Sequence, residues 1–102
     1  MIAPYAHAAT LEEAGTPALA EIMRLAERSE AALRAVYRPS GMNFGFNIGS
    51  CAGAGIAGHI HMHGLPRWPG DTSFITTIGE TRVLPEDLET TYRKVSAALR
   101  GR

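Results

Sequence analysis

Three histidines, His59, His61 and His63, alternate with the apolar residues Ile60 and Met62. Imidazole is the side chain whose unperturbed pKa lies nearest neutrality, so each can act as base, acid, nucleophile or metal ligand. Side chains repeat every second residue in an extended strand, so the spacing predicts all three rings on one face. A buried row of imidazoles needs partners. Two chemistries fit. In the first, a His-x-His pair chelates a transition metal. Adjacent histidines of the row would stand about 6.6 Å apart and the outer pair about 13 Å, which argues against three-way convergence on one ion. Further ligands would have to come from Cys51, His7 or scattered carboxylates, which show no recognisable ligand spacing. In the second, the central imidazole is a nucleophile, and its neighbours orient it and bind the group under attack.

The segment before the row favours the second chemistry. Gly49 to Gly58 is a run of small residues, Gly-Ser-Cys-Ala-Gly-Ala-Gly-Ile-Ala-Gly. Small residues let the backbone approach a ligand closely, and successive N–H groups in such a turn cradle phosphate oxygens. Directly ahead of a histidine row, the loop points to a phosphoryl group held by backbone amides and attacked by imidazole. Cys51 within it reads as a small loop residue, since nothing adjacent would lower its pKa.

The elements that position these residues follow from the pattern. Pro4 breaks any strand formed by the first residues and starts a turn through Tyr5-Ala6-His7. Thr10-Leu11-Glu12-Glu13 has capping-box spacing and opens a short helical turn that Gly15 ends. Thr16 and Pro17 start a long helix running to Arg38, with Leu19, Ile22, Met23, Ala26, Leu33, Val36 and Tyr37 as its apolar stripe. Pro39-Ser40-Gly41 turns the chain. Met42, Phe44, Phe46 and Ile48 alternate with Asn43, Gly45 and Asn47, which predicts a strand with one buried face. The histidine strand pairs antiparallel with it. Pro66 to Asp71 forms a turn-rich exit, and Phe74 to Ile78 a short strand or irregular segment. Leu84-Pro85-Glu86-Asp87 opens a final helix with Leu88, Tyr92, Val95 and Leu99 as its stripe.

Composition sets the outer bounds. The chain has 102 residues, enough for one domain over 1–102 with a modest core. Ten basic side chains balance ten acidic ones, which argues against a general nucleic-acid or polybasic membrane surface. No apolar run approaches a membrane span, and the start lacks the pattern of a signal peptide. A cytoplasmic location is expected. The single cysteine cannot form an intrachain disulfide.

Gly55-Ile56-Ala57-Gly58-His59-Ile60-His61-Met62-His63-Gly64-Leu65-Pro66-Arg67-Trp68 resembles the signature of the histidine-triad (HIT) superfamily, His-φ-His-φ-His-φ-φ with φ apolar. The resemblance extends through Phe46-Asn47-Ile48-Gly49 and Pro4-Tyr5-Ala6-His7, and downstream through Gly70-Asp71-Thr72-Ser73-Phe74 to Leu84-Pro85-Glu86. This tail is most similar to the branch of diadenosine-polyphosphate hydrolases and phosphorylases. The resemblance implies an α+β fold in which an antiparallel sheet carries a long helix and a C-terminal helix. It implies a nucleotide phosphohydrolase or nucleotidyl transferase. His61 would attack the α-phosphorus and form a nucleotidyl-histidine intermediate, His59 would orient it, and His63 would contact the phosphate. Asn47 would help bind ribose or phosphate, the amides around Gly55 and Ile56 would take phosphate oxygens, and His7 would lie near the site. Neither a metal nor a cofactor is expected.

Blander readings stand beside these roles: Asn47 as a loop cap, His7 as a turn or core histidine, and Arg67 and Trp68 as surface and packing residues. Two departures from the family pattern carry expectations. Gly64 replaces a bulky apolar residue, which would loosen the strand past His63 or make room for a neighbouring chain. A full domain has roughly fifty residues before the Pro-x-x-His element, so the chain reads as an N-terminally truncated, C-terminal portion of such a domain. It would lack the nucleoside half of the site and would present an unpaired apolar sheet edge. An obligate homo-oligomer, typically a homodimer and in one form with exchanged elements, is therefore expected. The rival functional reading is a catalytically impaired nucleotide- or phosphate-binding remnant.

Overall fold

A computed structural model describes residues 1–53, 58–71 and 86–101. The short helix α1 (Leu11–Ala14) is followed by the long helix α2 (Thr16–Tyr37), strand β1 (Gly41–Phe46), a 3₁₀ turn at Ser50–Ala52, strand β2 (Met62–Arg67) and helix α3 (Leu88–Arg100). This is the expected α+β arrangement. The segment Phe74 to Ile78, the amides of Gly55 and Ile56, and Leu84-Pro85 lie outside the described residues.

Local chemistry accounts for the helix ends. Thr10 Oγ1 accepts from Glu13 N at 3.1 Å, while the Glu13 carboxylate reaches back to Ala9 N at 2.8 Å. The capping box therefore closes one residue upstream of its usual N-cap amide. Gly15, with φ 85°, supplies the left-handed turn between α1 and α2 and becomes the N-cap of α2, so Thr16 is already helical. Helix α2 ends at Arg38, φ 47°, whose N–H closes on Arg34 O, and Pro39 cannot continue it. Helix α3 begins later than Leu84: Asp87 is its N-cap and accepts from Thr90 N at 2.7 Å. Glu86 is thereby left outside the helix, free to bond elsewhere.

The strands pair antiparallel, with Gly41 opposite Arg67 and Phe46 opposite Met62. On the other side of β2, Ile2 and Met62 exchange both backbone hydrogen bonds at 2.8 Å. Since Met62 directs its N–H and C=O to Ile2, strict alternation sends the nitrogen of Pro66 to that same outer side. A proline there forfeits no bond to β1, which is why the strand runs through Pro66 and Arg67 instead of ending at His63. The turn is confined to Trp68–Asp71: Asp71 N bonds Trp68 O at 3.2 Å, with Pro69 and Gly70 (φ 88°) at the central positions of a type II turn.

The core lies between one face of this sheet and α2. Ile22, Ala26 and Met62 form it, with Ile2, Leu19 and Phe46 packed around them. The expected helix stripes are only partly covered. Met23 of α2 is 60% exposed, and Leu88 and Tyr92 of α3 are 81% and 71% exposed. Helix α3 rests on α2, and from Leu88 to Leu99 it lines a cavity of about 580 Å³ together with Ile2, Phe44 and Met62. Among the described residues no helix is long and apolar enough to cross a membrane.

Candidate active site

Antiparallel pairing assigns alternate residues to opposite faces. Phe44, Phe46, Gly64 and Met62 belong to the core face, and Gly45, His63, Asn43 and Leu65 to the other. The alternation continues upstream of β2 although His59 and His61 precede the strand. Ile60 is 2% and Met62 5% exposed, while the three histidines are half-buried. What keeps this stretch extended is the N-terminal segment: Ile60 N bonds Ala8 O at 2.7 Å, and Met62 pairs with Ile2.

That segment also holds the first ring of the row. His59 Nε2 lies 2.6 Å from Pro4 O, and the His7 ring stands 4.7 Å from the His59 ring at an interplanar angle of 50°. His61 Nδ1 lies 3.3 Å from the carbonyl of His59. The His61 and His63 rings meet edge to face with centroids 6.3 Å apart. A carbonyl only accepts, so the ring nitrogen facing it must carry the proton. In the neutral imidazoles, His59 is then protonated on Nε2 and His61 on Nδ1. His61 then keeps its lone pair on Nε2, the ring nitrogen that does not face this carbonyl.

The register carried one position beyond Phe46 and Met62 sets Asn47 across from His61. Its amide lies over the turn ahead of the row: a Cβ on Gly53, φ 97°, would stand 3.5 Å from Asn47 Nδ2. The structure therefore brings His7, His59, His61, His63 and Asn47 to one region. Two cavities, of about 570 and 580 Å³, are lined by Phe44 and Met62 from the core face and by none of the four histidines.

Arg67 is engaged elsewhere. Its Nε and Nη2 donate to the two oxygens of buried Asp71 at 2.9 and 3.0 Å, and its Nη1 donates to Asn43 Oδ1 at 2.5 Å. Asp71 also accepts from Trp68 N at 3.0 Å. The carboxylate fork raises the Arg67 pKa. This clasp ties the end of β2 to the start of β1, about four residues of strand beyond His63. Asp71, Asn43 and the Pro4 carbonyl were not marked by any catalytic motif. The Pro-x-x-His spacing signals the last of these, since it sets the carbonyl and His7 three residues apart in one turn. Glu86 joins the two helices: it accepts from Tyr37 Oη at 2.6 Å and Thr91 Oγ1 at 2.8 Å and pairs with Lys94 Nζ at 2.5 Å.

A row of alternating histidines leading into β2, backed by a Pro-x-x-His turn and preceded in sequence by a glycine-rich run, defines a histidine-triad protein. Residues 1–70 match the HIT domain family, and the chain belongs to it. It is 40% identical over 93 residues to the AP-4-A phosphorylase of Mycobacterium tuberculosis, covering 91% of this chain and 48% of that protein. It is 26% identical over 96 residues to a HIT-like protein of Mycoplasma genitalium, MG132, covering 94% of this chain and 66% of the relative. Among solved structures, the Zn-bound histidine triad family protein from Mycobacterium smegmatis superimposes with a TM-score of 0.73 at 28% identity, over 96% of this chain and 66% of its own. The chain thus spans about half the length of the AP-4-A phosphorylase it matches.

Proposed function

We propose that this chain carries the nucleotidyl-transfer half of a dinucleoside-polyphosphate hydrolase or phosphorylase. The observation that carries the proposal is the pair of carbonyl contacts, His59 Nε2 to Pro4 O and His61 Nδ1 to His59 O, which leave His61 Nε2 as the available nucleophile. The similarity to an AP-4-A phosphorylase supports the substrate class. The His61 Nε2 lone pair forms a bond to the α-phosphorus, and the bond from that phosphorus to its bridging oxygen breaks. The departing polyphosphate keeps the electron pair and takes up a proton. Water or inorganic phosphate then attacks the same phosphorus and breaks the P–N bond, releasing a nucleoside mono- or diphosphate. His63 contacts the phosphate, and Asn47 with the Gly55 and Ile56 amides holds its remaining oxygens. His7 acts as a support for the His59 ring. Fixed donors around a charge-bearing phosphoryl group supply most of the rate in such chemistry.

Incubation with diadenosine tetraphosphate tests this. The wild type should release ATP together with AMP, or with ADP when inorganic phosphate is present, and His61→Asn should release none. Equal turnover by His61→Asn would overturn the role of His61. The share of the relative that this chain spans, 48%, keeps a second reading in view. That reading is a phosphate- or nucleotide-binding protein without turnover, and calorimetric binding in the absence of product identifies it.

The M. smegmatis neighbour is Zn-bound. In this chain, no three His, Cys, Asp or Glu side chains converge to hold a metal among the described residues, and the His59 nitrogen facing Pro4 O carries a proton. Among the described residues the row is therefore not arranged to share one ion. The homodimer is proposed to form through the outer edge of β1 and the exposed side of α2, where Met23 is uncovered. Sedimentation of a stable folded monomer at micromolar concentration would rule it out.

A further inference from the structure

Gly45 and Gly64 both lie inside the two-stranded sheet, in adjoining registers, and glycine weakens a strand at either place. Gly64 faces the core side, where the ring of Phe44 occupies the space a side chain would need. Gly45 faces the histidine side, directly opposite His63. A Cβ built on Gly45 meets nothing within 4 Å among the described residues, and its backbone is not in the left-handed region. Among the described residues nothing would clash with a strand-forming side chain there. What glycine provides at this position is open ground beside an imidazole.

Strand alternation adds a second constraint. Met62 directs both backbone groups to Ile2, so His63 and Gly45 form a hydrogen-bonded pair whose Cα atoms stand about 5.5 Å apart. Any side chain at position 45 would project from the surface that carries His61 and His63, whose rings are 6.3 Å apart. It would intrude on whatever His63 contacts before it disturbed the fold.

We propose that Gly45 is a specificity-determining residue: the cleared surface opposite His63 admits the phosphorylated leaving group of a dinucleoside polyphosphate. The proposal rests on the functional reading above and extends it from the attacked phosphorus to the departing group. A small leaving group does not need this clearance, whereas a nucleoside triphosphate does.

The test compares wild type, Gly45→Ala and Gly45→Val on diadenosine tetraphosphate and on adenosine 5′-phosphoramidate, whose leaving group is ammonia. Melting temperature should stay the same or rise, because both substitutions favour the strand. For diadenosine tetraphosphate, kcat/KM should fall by about tenfold or more in the valine variant, with alanine between, while the phosphoramidate changes less than about threefold. Equal losses on both substrates, or no loss on either, would overturn the proposal. If the wild type turns over neither substrate, the catalytic reading fails on its own, and calorimetry with diadenosine tetraphosphate decides the clearance. Weaker binding by Gly45→Val supports it; equal binding, or no binding by wild type, overturns it.

Discussion

The ring of Phe44 lies across the α-carbon of Gly64 on the neighbouring strand, so that a methyl group there would stand 2.4 Å from Cε1 and 2.6 Å from Cδ1. The two residues are direct cross-strand partners. An aromatic ring laid over a strand glycine covers the backbone that the glycine leaves bare. Gly64 is therefore neither a loosened point in β2 nor space kept for another chain. It is the seat of a side chain from β1, and that side chain lines both cavities of the core face.

Gly64→Ala should destabilise the protein by about 1–3 kcal/mol, because the ring must leave its place or the strands must part. Removing the ring as well, in Gly64→Ala with Phe44→Ala, should cost less than the sum of the two single changes. Urea unfolding of the four proteins reads this directly. Additive losses would mean that the two residues do not compete for one space.

The tautomers of the row form a second expectation. Long-range ¹⁵N–¹H correlation spectra should show neutral His59 protonated on Nε2 and neutral His61 on Nδ1. His59→Phe keeps a ring against His7 but removes the donor to Pro4 O, and turnover should fall about tenfold or more as the proposed nucleophile loses its alignment. A proton on His61 Nε2 in the neutral wild-type ring would contradict the nucleophile proposed above.

Much of this arrangement was legible in the sequence where a residue's role is local. Thr10 and Glu13 announce their cap, and Ile60 and Met62 announce their burial through period-two spacing. Pro17 and Pro39 bracket the long helix to within a residue or two at each end. Relations across the chain were not legible. Nothing near Gly64 in sequence points to Phe44, and nothing near Pro66 says that its missing N–H falls on the side away from β1. The start of α3 is ambiguous in sequence because Pro85 suits a first helical turn, while Asp87 is the residue that caps the helix. Leu88 and Tyr92 carry helical spacing yet remain exposed, since periodicity marks an apolar face without supplying what covers it.

The Arg67–Asp71 pair should matter to stability far more than the exposed Glu30–Arg34 pair, although both are four residues apart. Exposed helical pairs contribute about 0.3–0.5 kcal/mol. Asp71 is buried, and Arg67→Ala would strip it of both guanidinium bonds while also releasing Asn43. Arg67→Ala should therefore lower the melting temperature well below that of Arg34→Ala, and Arg67→Lys should recover only part, since an ammonium cannot reproduce the fork. Equal effects at positions 34 and 67 would show that the clasp contributes nothing beyond surface charge.

The contact between α2 and α3 gives a pH-dependent expectation. The Glu86 carboxyl is held at about 2, below its ordinary value of 4.5, first by the bond from Lys94 and then by those from Tyr37 and Thr91. A depressed carboxyl contributes stability that is fully present above about pH 4.5 and is lost as pH falls toward 2. Over that window the unfolded chain binds the proton that folded Glu86 refuses, so the urea midpoint should drop with acid. Asp87 is also lowered, chiefly by the Thr90 amide, and adds to the same limb. Glu86→Gln should therefore flatten the acid limb without abolishing it, and should lower the midpoint at neutral pH, where the Lys94 pairing is lost. Tyr37→Phe removes one of the three donors and should shift the Glu86 titration upward while leaving Lys94 in place. An acid limb identical in wild type and Glu86→Gln would mean that these contacts do not join the two helices in solution.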